Sequence, residues 1–576
     1  MASSKYIEFI IWILLAALLI CIVIMAAVPP VSRDALTHHL AVPKIYLQQG
    51  GIVEIPEIEF SYYPMNLDLL YMVPLFFGND IGPKYIHFFF GLLTALLIYR
   101  FLRERTHPRL WALLGALLFL SLPVIVKLSI TVYVDLGLVF FSTAALLFVM
   151  KWALGSRRPL DLVCAAVCCG LCLGTKYNGL ITFFLLACSI PILYMRGHRS
   201  RYSTSELSER ASPLDRGNGM AASFRGLGAM LLFISISIAV FSPWMIRNYR
   251  WTGNPVHPLY RSAFGSNTDG EVMNNPTDPK AGSAENDENL SHFVIRRRVF
   301  NETLFETLST PVRIFFQGQD DNPKYFDGRL NPYLIIFPLL SFVGFGRLSR
   351  RRKIENLALF GFAVLYLLYA FFKVDMRIRY VAPIIPPLVI LSVFGVESAY
   401  SLIKTKLTGK RGMLGRSLLA IAMLLLVGLN FQYLTGQFSY VAPLDYLSGK
   451  IRRDAYIQKY RSEYGAIQFI NQRLTSEDRV MAVYLGNRIY YSDRPIVCND
   501  PLMKSAIASS NSAEDLRLRL AKREFTHLLI QNEFFRQFIL EQLSPEKQSM
   551  VRRFFGEKAV ELFSQRGYSV FELTNH

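Results

Sequence analysis

The sequence predicts a polytopic α-helical membrane protein of about eleven transmembrane helices, followed by a C-terminal soluble α/β domain. Two observations carry the membrane part: 52% of the 576 residues are hydrophobic and 13% aromatic, more apolar surface than a soluble core needs, and these residues fall in runs long enough to cross a bilayer as helix. A third carries the tail: beyond about residue 435 the long apolar runs stop and short strand-like segments alternate with helical ones.

The apolar runs lie at about 7–28, 82–99, 109–126, 131–150, 160–175, 178–195, 227–246, 331–347, 355–372, 380–403 and 415–434. The first is about 22 residues long, beyond the 7–15 of a cleaved signal's apolar core, and is read as an uncleaved span. The stretch Leu67 to Gly78 is short and broken by Asp68 and Pro74; it is read as an interfacial or re-entrant segment.

The formal charge is +19, yet it is not a nucleic-acid signature, because the cations fall in short loops between apolar runs. Arg100, Arg103, Arg105 and Arg109; Lys151, Arg157 and Arg158; Arg196, Arg199 and Arg201; Arg347 and Arg350 to Lys353; and Lys404, Lys406, Lys410 and Arg411 all occupy alternate loops. The positive-inside rule makes that side cytoplasmic. The N-terminus is then inside, and residues 29–81, 247–330 and 436–576 are outside. Arg296-Arg297-Arg298 falls on the outer side, within a long loop of the kind that escapes the rule. The Gly-, Asn-, Asp- and Pro-rich stretch 265–290 reads as a lid or a plain linker.

Six of the seven cysteines lie in apolar runs and only Cys498 lies outside, which excludes a disulfide framework there and leaves no zinc spacing. The helical spacing of Cys164, Cys168 and Cys172 reads as small packing residues on a span.

Polar residues that bear chemistry gather on the outer side. Asp34 follows the first span by about five residues and opens a helix-like stretch to Gln49, with His38 four residues on and so on the same face. His39, Thr37 and Lys44 add donors, and Glu54, Glu57, Glu59, Tyr62 and Tyr63 follow. Lys84 opens the second span, Asp135 lies near the outer end of the fourth, Lys176 sits in the next outer turn, Arg247 ends the seventh span, and Arg377 and Arg379 precede Pro383. An ionisable group at such depth is costly unless partnered or used. Each also has an ordinary reading: Asp34 as a helix cap, Asp135 as a structural partner of a cation, His38 and His39 as interfacial side chains, and Lys84, Lys176, Arg247, Arg377 and Arg379 as anchors at span ends.

Carboxylates and cations on one membrane face suit sugar transfer from a polyprenyl phosphate. Such a reaction needs a base or orienting carboxylate for the acceptor and fixed positive charge for the departing phosphate. Arginine grips phosphate through paired donors, and lysine acts as a point charge.

The acidic residue after the first span, the second aspartate near the fourth, the Trp244 to Tyr260 stretch with Gly253-Asn254-Pro255, and Arg377-Ile378-Arg379-Tyr380-Val381-Ala382-Pro383 together resemble the GT-C membrane glycosyltransferases. The similar branch is glycosyltransferase family 39-like, holding protein O-mannosyltransferases and lipid A aminoarabinose transferases. The resemblance covers about residues 1–435 as the catalytic module. It implies Asp34 as the catalytic or acceptor-orienting carboxylate, Asp135 as the second site aspartate, Lys84, Lys176 and Arg379 as phosphate contacts, and an inverting transfer. Arg377 joins the phosphate group on chemistry alone, and His38, His39 and Tyr63 are support from the first loop. The first loop lacks an Asp-x-Asp or Glu-x-Asp pair, so no metal site is assigned; a divalent cofactor is an option the sequence does not support.

In the tail, strands are expected at Val480 to Leu485, Pro495 to Cys498, His527 to Gln531 and Ser569 to Leu573, with helices near 460–473, 512–523 and 534–563. Gly486-Asn487-Arg488 follows a strand but falls far short of a nucleotide fingerprint. The tail is assigned acceptor recognition or scaffolding.

The reading is therefore a glycosyltransferase that moves a sugar from a polyprenyl-phosphate donor to a lipid, glycan or protein acceptor on the outer face of a membrane, with a bacterial inner membrane expected. The alternatives are a transporter or lipid flippase, for which the internal repeats of such folds are not evident, and a polysaccharide polymerase or ligase acting on whole lipid-linked chains.

Overall fold

The computed structural model describes residues 2–155, 157–202, 215–264, 292–373 and 376–574. The stretch 265–290, read above as a lid or linker, lies outside the described residues.

All eleven apolar runs contain helix, but they are not equal. Helix α1 (Ala2–Ala26) is followed by a five-residue π-helical turn, Ala35–His39, then by α2 (Ala41–Gln49) and α3 (Asn66–Phe76). Next come α4 (Gly82–Arg103), α5 (Leu110–Ser121), α6 (Pro123–Ser129), α7 (Asp135–Leu154), α8 (Pro159–Leu173), α9 (Gly179–Tyr202) and α10 (Asp215–Thr252). Helices Tyr333–Leu340, Arg350–Lys373, Ile385–Lys406 and Gly409–Val441 complete the bundle. By length and composition, eight helices among the described residues can cross a bilayer, or nine if the bent pair α5 and α6 is one span.

The difference from eleven full spans has physical causes. Pro123 follows Leu122, whose backbone is extended at ψ 135°, as expected for a residue before proline; the axis turns by 66° there. Helix α8 has 15 residues, about 22 Å at 1.5 Å per residue, short of a hydrocarbon core of about 30 Å. The run at 331–347 yields only an eight-residue helix, followed by turns around Gly344 in the left-handed region (φ 70°). Helix α3, in the stretch expected to be interfacial or re-entrant, has 11 residues, too few to cross; it buries Asp68 and Tyr71 while Val73 and Phe76 stay exposed.

Helices approach closely where side chains are small. A Cβ on Gly170 of α8 would fall 2.7 Å from the Ser237 carbonyl of α10, so α8 and α10 pack with almost nothing between their backbones. Of the cysteine ladder, Cys172 is buried and free, with its Sγ 3.2 Å from Ser142 Oγ on α7, while Cys164 and Cys168 are half-buried.

The tail folds as a five-stranded mixed sheet in the order β2-β1-β3-β5-β4. The strands are β1 (Val480–Val483), β2 (Ile496–Cys498), β3 (His527–Gln531), β4 (Ala559–Gln565) and β5 (Tyr568–Leu573). β1 runs parallel to β2 and β3, whereas β5 is antiparallel to both β3 and β4. The sequence reading ran a helix through 534–563; instead helices Asn532–Gln542 and Pro545–Arg553 give way to strand β4. β4 exposes most of its side chains as the outermost strand of the sheet, so it carries no clear apolar alternation. Its signal was the Arg566-Gly567 pair, both at positive φ, a hairpin turn matched to strand twist.

Candidate functional site

A cavity of about 1070 Å³ opens where α1, α4 and the 378–384 turn meet the loop that follows α1. Helix direction separates the cavity from the basic loops: α4 begins at the cavity with Lys84 and ends at Arg103. The basic loops thus lie at the opposite end of the bundle.

The first wall is built on the π-helical turn. Widening the helix there places Asp34, His38 and His39 on the cavity together. Arg379, held in a 3₁₀ turn (Ile378–Ile384) stiffened by Pro383, donates from Nη1 to Asp34 Oδ2. Burial pushes the Asp34 carboxyl up, but the Arg379 guanidinium, helped by His38 and His39, overrides it and holds the group far below the usual carboxylate range. His39 Nδ1 lies 2.6 Å from Asp68 Oδ1 in a buried pair, and His38 stacks on Phe60 with ring centroids 4.5 Å apart.

The second wall repeats the pairing. Lys176 Nζ donates to Asp135 Oδ1 over 2.7 Å and sits 4.6 Å over the Tyr380 ring. Asp135 itself is fully buried and does not line the cavity, whereas Lys176 does. Asp135 therefore meets the cavity only through the lysine it holds.

The remaining sequence candidates divide in the same way. Lys84 is on the cavity wall but donates to the Val28 carbonyl over 2.7 Å, fixing the chain where it leaves α1. Arg377 lines the cavity 3.8 Å from Asp327. Tyr63 lines it too, edge-on to Phe60 and Tyr177; burial, then Glu59, pushes its hydroxyl pKa up. Arg247, expected as a span-end anchor, instead donates to the Tyr62 and Tyr63 carbonyls over 2.7 and 3.1 Å, lying near the rings of Trp244 and Trp251.

Several lining groups were not singled out from sequence. Lys127 lies 3.5 Å from Asp320 and 3.2 Å from Asp321; it sits alone in an apolar run, which was its only signal. Tyr460 and Arg461 come from the tail and reach the cavity across more than 400 residues. Arg461 Nε donates to the Val31 carbonyl, three residues before Asp34. Tyr491 Oη donates to Pro30 O over 2.8 Å, and the Tyr490 amide to Leu36 O over 3.2 Å. No spacing rule joins such positions. Among the described residues no group of three or more His, Cys, Asp or Glu side chains could hold a metal ion.

Residues 57–250 match the family described as dolichyl-phosphate-mannose-protein mannosyltransferase. Among solved structures, the chain is similar to apo ArnT from Cupriavidus metallidurans, with a TM-score of 0.56 and 13% identity over 99% of this chain and 98% of that one. The same enzyme bound to undecaprenyl phosphate gives a TM-score of 0.53 and 14% identity over 98% of both chains. The apo oligosaccharyltransferase of Archaeoglobus fulgidus gives 0.51 and 11%, over 98% of this chain and 74% of that one. No curated protein matches the chain.

Proposed function

We propose that this chain, an integral membrane glycosyltransferase of the GT-C superfamily on the branch of ArnT and the protein O-mannosyltransferases, carries out its transfer in the cavity between Asp34 and the cations facing it. It moves a sugar from a polyprenyl-phosphate donor to an acceptor, the donor class being that of the undecaprenyl phosphate bound to the ArnT neighbour.

The observation that carries the assignment of residues is the convergence on one cavity of a carboxylate with Arg379, Lys176, Arg377 and Lys84. The acceptor oxygen bonds to the anomeric carbon as the carbon–oxygen bond to phosphate breaks, and the bonding pair leaves with the phosphate oxygen. Negative charge thus grows on phosphate, and cations fixed beforehand stabilise it without reorganising. Arg379 and Arg377 supply forked donors and Lys176 a point charge, while Asp34 activates or orients the acceptor hydroxyl, whose proton passes to Asp34 or to the departing phosphate. Asp135 keeps Lys176 in place. The apolar lining near Met25, Val28 and Val124 suits the first isoprene units of the carrier.

The cavity is assigned to the outer face, with the N-terminus cytoplasmic and the tail periplasmic in a bacterial inner membrane. The support is the placement of the basic loops at the far end of the bundle. The test is sugar transfer from radiolabelled polyprenyl-phosphate sugars in membranes carrying the intact chain or Asp34→Asn at matched expression. Transfer that disappears in the variant while donor binding persists supports the assignment; equal rates reject Asp34.

A further inference from the structure

We infer that Arg461 and Tyr491 of the C-terminal tail are positioning residues for Asp34, which they hold in place by fixing the chain that carries it. This rests on the glycosyltransferase reading and gives these two tail residues a part in the rate rather than in acceptor recognition.

Between α1 and the π-helical turn, residues 29–32 form neither helix nor strand, so their carbonyls have no partners from regular structure. Buried carbonyls must find partners elsewhere, and Val28, Pro29 and Pro30 are buried. Lys84 of α4 serves the first two, at 2.7 and 3.4 Å. The tail serves the next two: Tyr491 Oη donates to the Pro30 carbonyl over 2.8 Å, and Arg461 Nε donates to that of Val31. Ser32 is served from its own chain, by the Leu36 amide over 3.3 Å. Beyond Asp34 the tail bonds again, the Tyr490 amide donating to the Leu36 carbonyl over 3.2 Å. The tail thus holds the backbone on both sides of Asp34.

The donors are themselves fixed. Tyr490 and Tyr491 follow the Gly486-Asn487-Arg488 turn after β1, where Tyr484, Gly486 and Asn487 all stand in the left-handed region, at φ 61°, 66° and 59°. That conformation is costly for a tyrosine and persists only where the surroundings impose it; here Asp500 accepts the Tyr484 amide over 2.6 Å. Arg461 links helices Arg453–Tyr460 and Tyr464–Arg473. Its neighbouring carboxylate, Glu463, accepts from Arg488 over 2.5 Å, and Arg488 donates to Tyr568 Oη of β5 over 3.1 Å, which ties the link to the sheet. Arg453 donates to Asp80, just ahead of α4, which ties it to the bundle. A carboxylate that serves the acceptor hydroxyl depends on such anchoring, because a misplacement of about 1 Å can cost about 10²-fold in rate. Tyr491 does not line the cavity, whereas Arg461 does, so Tyr491 reaches the reaction only through the chain it holds.

The experiment measures kcat, donor KM and donor binding in membranes for the wild-type chain, Tyr491→Phe, Arg461→Met, Arg461→Lys, Asp34→Asn and Asp34→Asn/Tyr491→Phe. Tyr491→Phe keeps the ring and removes one donor, and Arg461→Lys keeps a donor for Val31. Expected is a fall in kcat of about tenfold in Tyr491→Phe and about 100-fold in Arg461→Met, with donor KM and binding within about threefold. Arg461→Lys should recover about tenfold of that loss. Because the effect runs through Asp34, Tyr491→Phe should change the residual rate of Asp34→Asn by less than about twofold. The control is Asp493→Asn at the exposed rim of the contact, where Lys44 keeps its two carbonyl acceptors and kcat should stay within about twofold. Losses that multiply in the double variant overturn the inference, as does a Tyr491→Phe chain that keeps more than about a third of kcat. So does loss of donor binding together with rate in Tyr491→Phe, which makes the contact structural. A raised donor KM with kcat intact in Arg461→Met makes Arg461 a donor contact and overturns its positioning role. Absence of transfer by the wild-type chain from every donor rejects the glycosyltransferase reading itself, and the inference with it.

Discussion

The two aspartate–cation pairs of the cavity have the same chemistry and different surroundings. In the Asp34–Arg379 pair the carboxylate keeps 24% of its side-chain surface exposed and the guanidinium 10%. In the Asp135–Lys176 pair the carboxylate keeps none and the ammonium 17%. In the first the anion is the more open partner, and in the second the cation is. The lesson is that an ion pair presents to substrate whichever charge it leaves uncovered. On the proposed reading, Asp34 presents a carboxylate to an acceptor, and Asp135 presents Lys176 to a phosphate.

Four substitutions test that contrast. The largest effect on rate is expected from Asp34→Asn, about 10²–10⁴-fold in kcat, against about tenfold for Asp135→Asn, which only loosens a cation's position. Steady-state transfer with both variants checks this, and equal losses would collapse the distinction. Next is stability: Lys176→Met strands a fully buried carboxylate, at a cost of about 3–5 kcal/mol, seen as a lowered unfolding midpoint. The double variant Asp135→Asn/Lys176→Met should regain most of that stability and none of the activity. A double variant as inactive and as unstable as the single one would mean that the pair does not share one role.

The fourth substitution, Arg379→Gln, is expected to show its effect through pH. Arg379 favours the unprotonated forms of both Asp34 and His38, so its loss lets both groups hold protons to higher pH. The decline of kcat/KM on acidification should then move upward from its wild-type position, with about tenfold less activity at neutrality. An unmoved acid limb would separate Arg379 from both groups. The smallest effect is expected at the tail's contact with the first loop. Lys44 donates to the Tyr490 and Ser492 carbonyls and to Asp493, but Asp493 is 69% exposed. For that ion pair alone, Asp493→Asn should cost no more than about 1 kcal/mol and leave kcat within about twofold.

Much of the candidate site, as the lining of one cavity, was legible as sequence, but unevenly. Asp34, Lys176 and Arg379 were found because each is an ionisable group at the end of an apolar run, where its cost demands a reason. Asp135 was found by the same rule, yet its position behind Lys176 was not, since hydropathy gives depth along the membrane and not the direction a side chain takes. Lys84 shows a further shortfall: it is on the wall, and its tie to the Val28 carbonyl is invisible from composition. Arg461 and Tyr460 were missed entirely because they belong to a segment whose own pattern describes a separate layer.

The sequence by itself determined the class of this protein, and its loop charges carry the proposed orientation. Bilayer thickness forces apolar runs of a set length, and the charge asymmetry of the loops orients them, so both are written locally along the chain. It also determined which ionisable residues had to be explained. Tertiary structure alone decided which carboxylate meets which cation, and that Asp34 and Arg379 touch across 345 residues. It also decided that α5 and α6 are bent, that β4 is a strand, and that the tail reaches back to the chain just before Asp34. The reason is range: hydropathy and spacing act over a turn or a span, whereas an ion pair in a low-dielectric cavity is set by packing among elements that the linear order keeps apart.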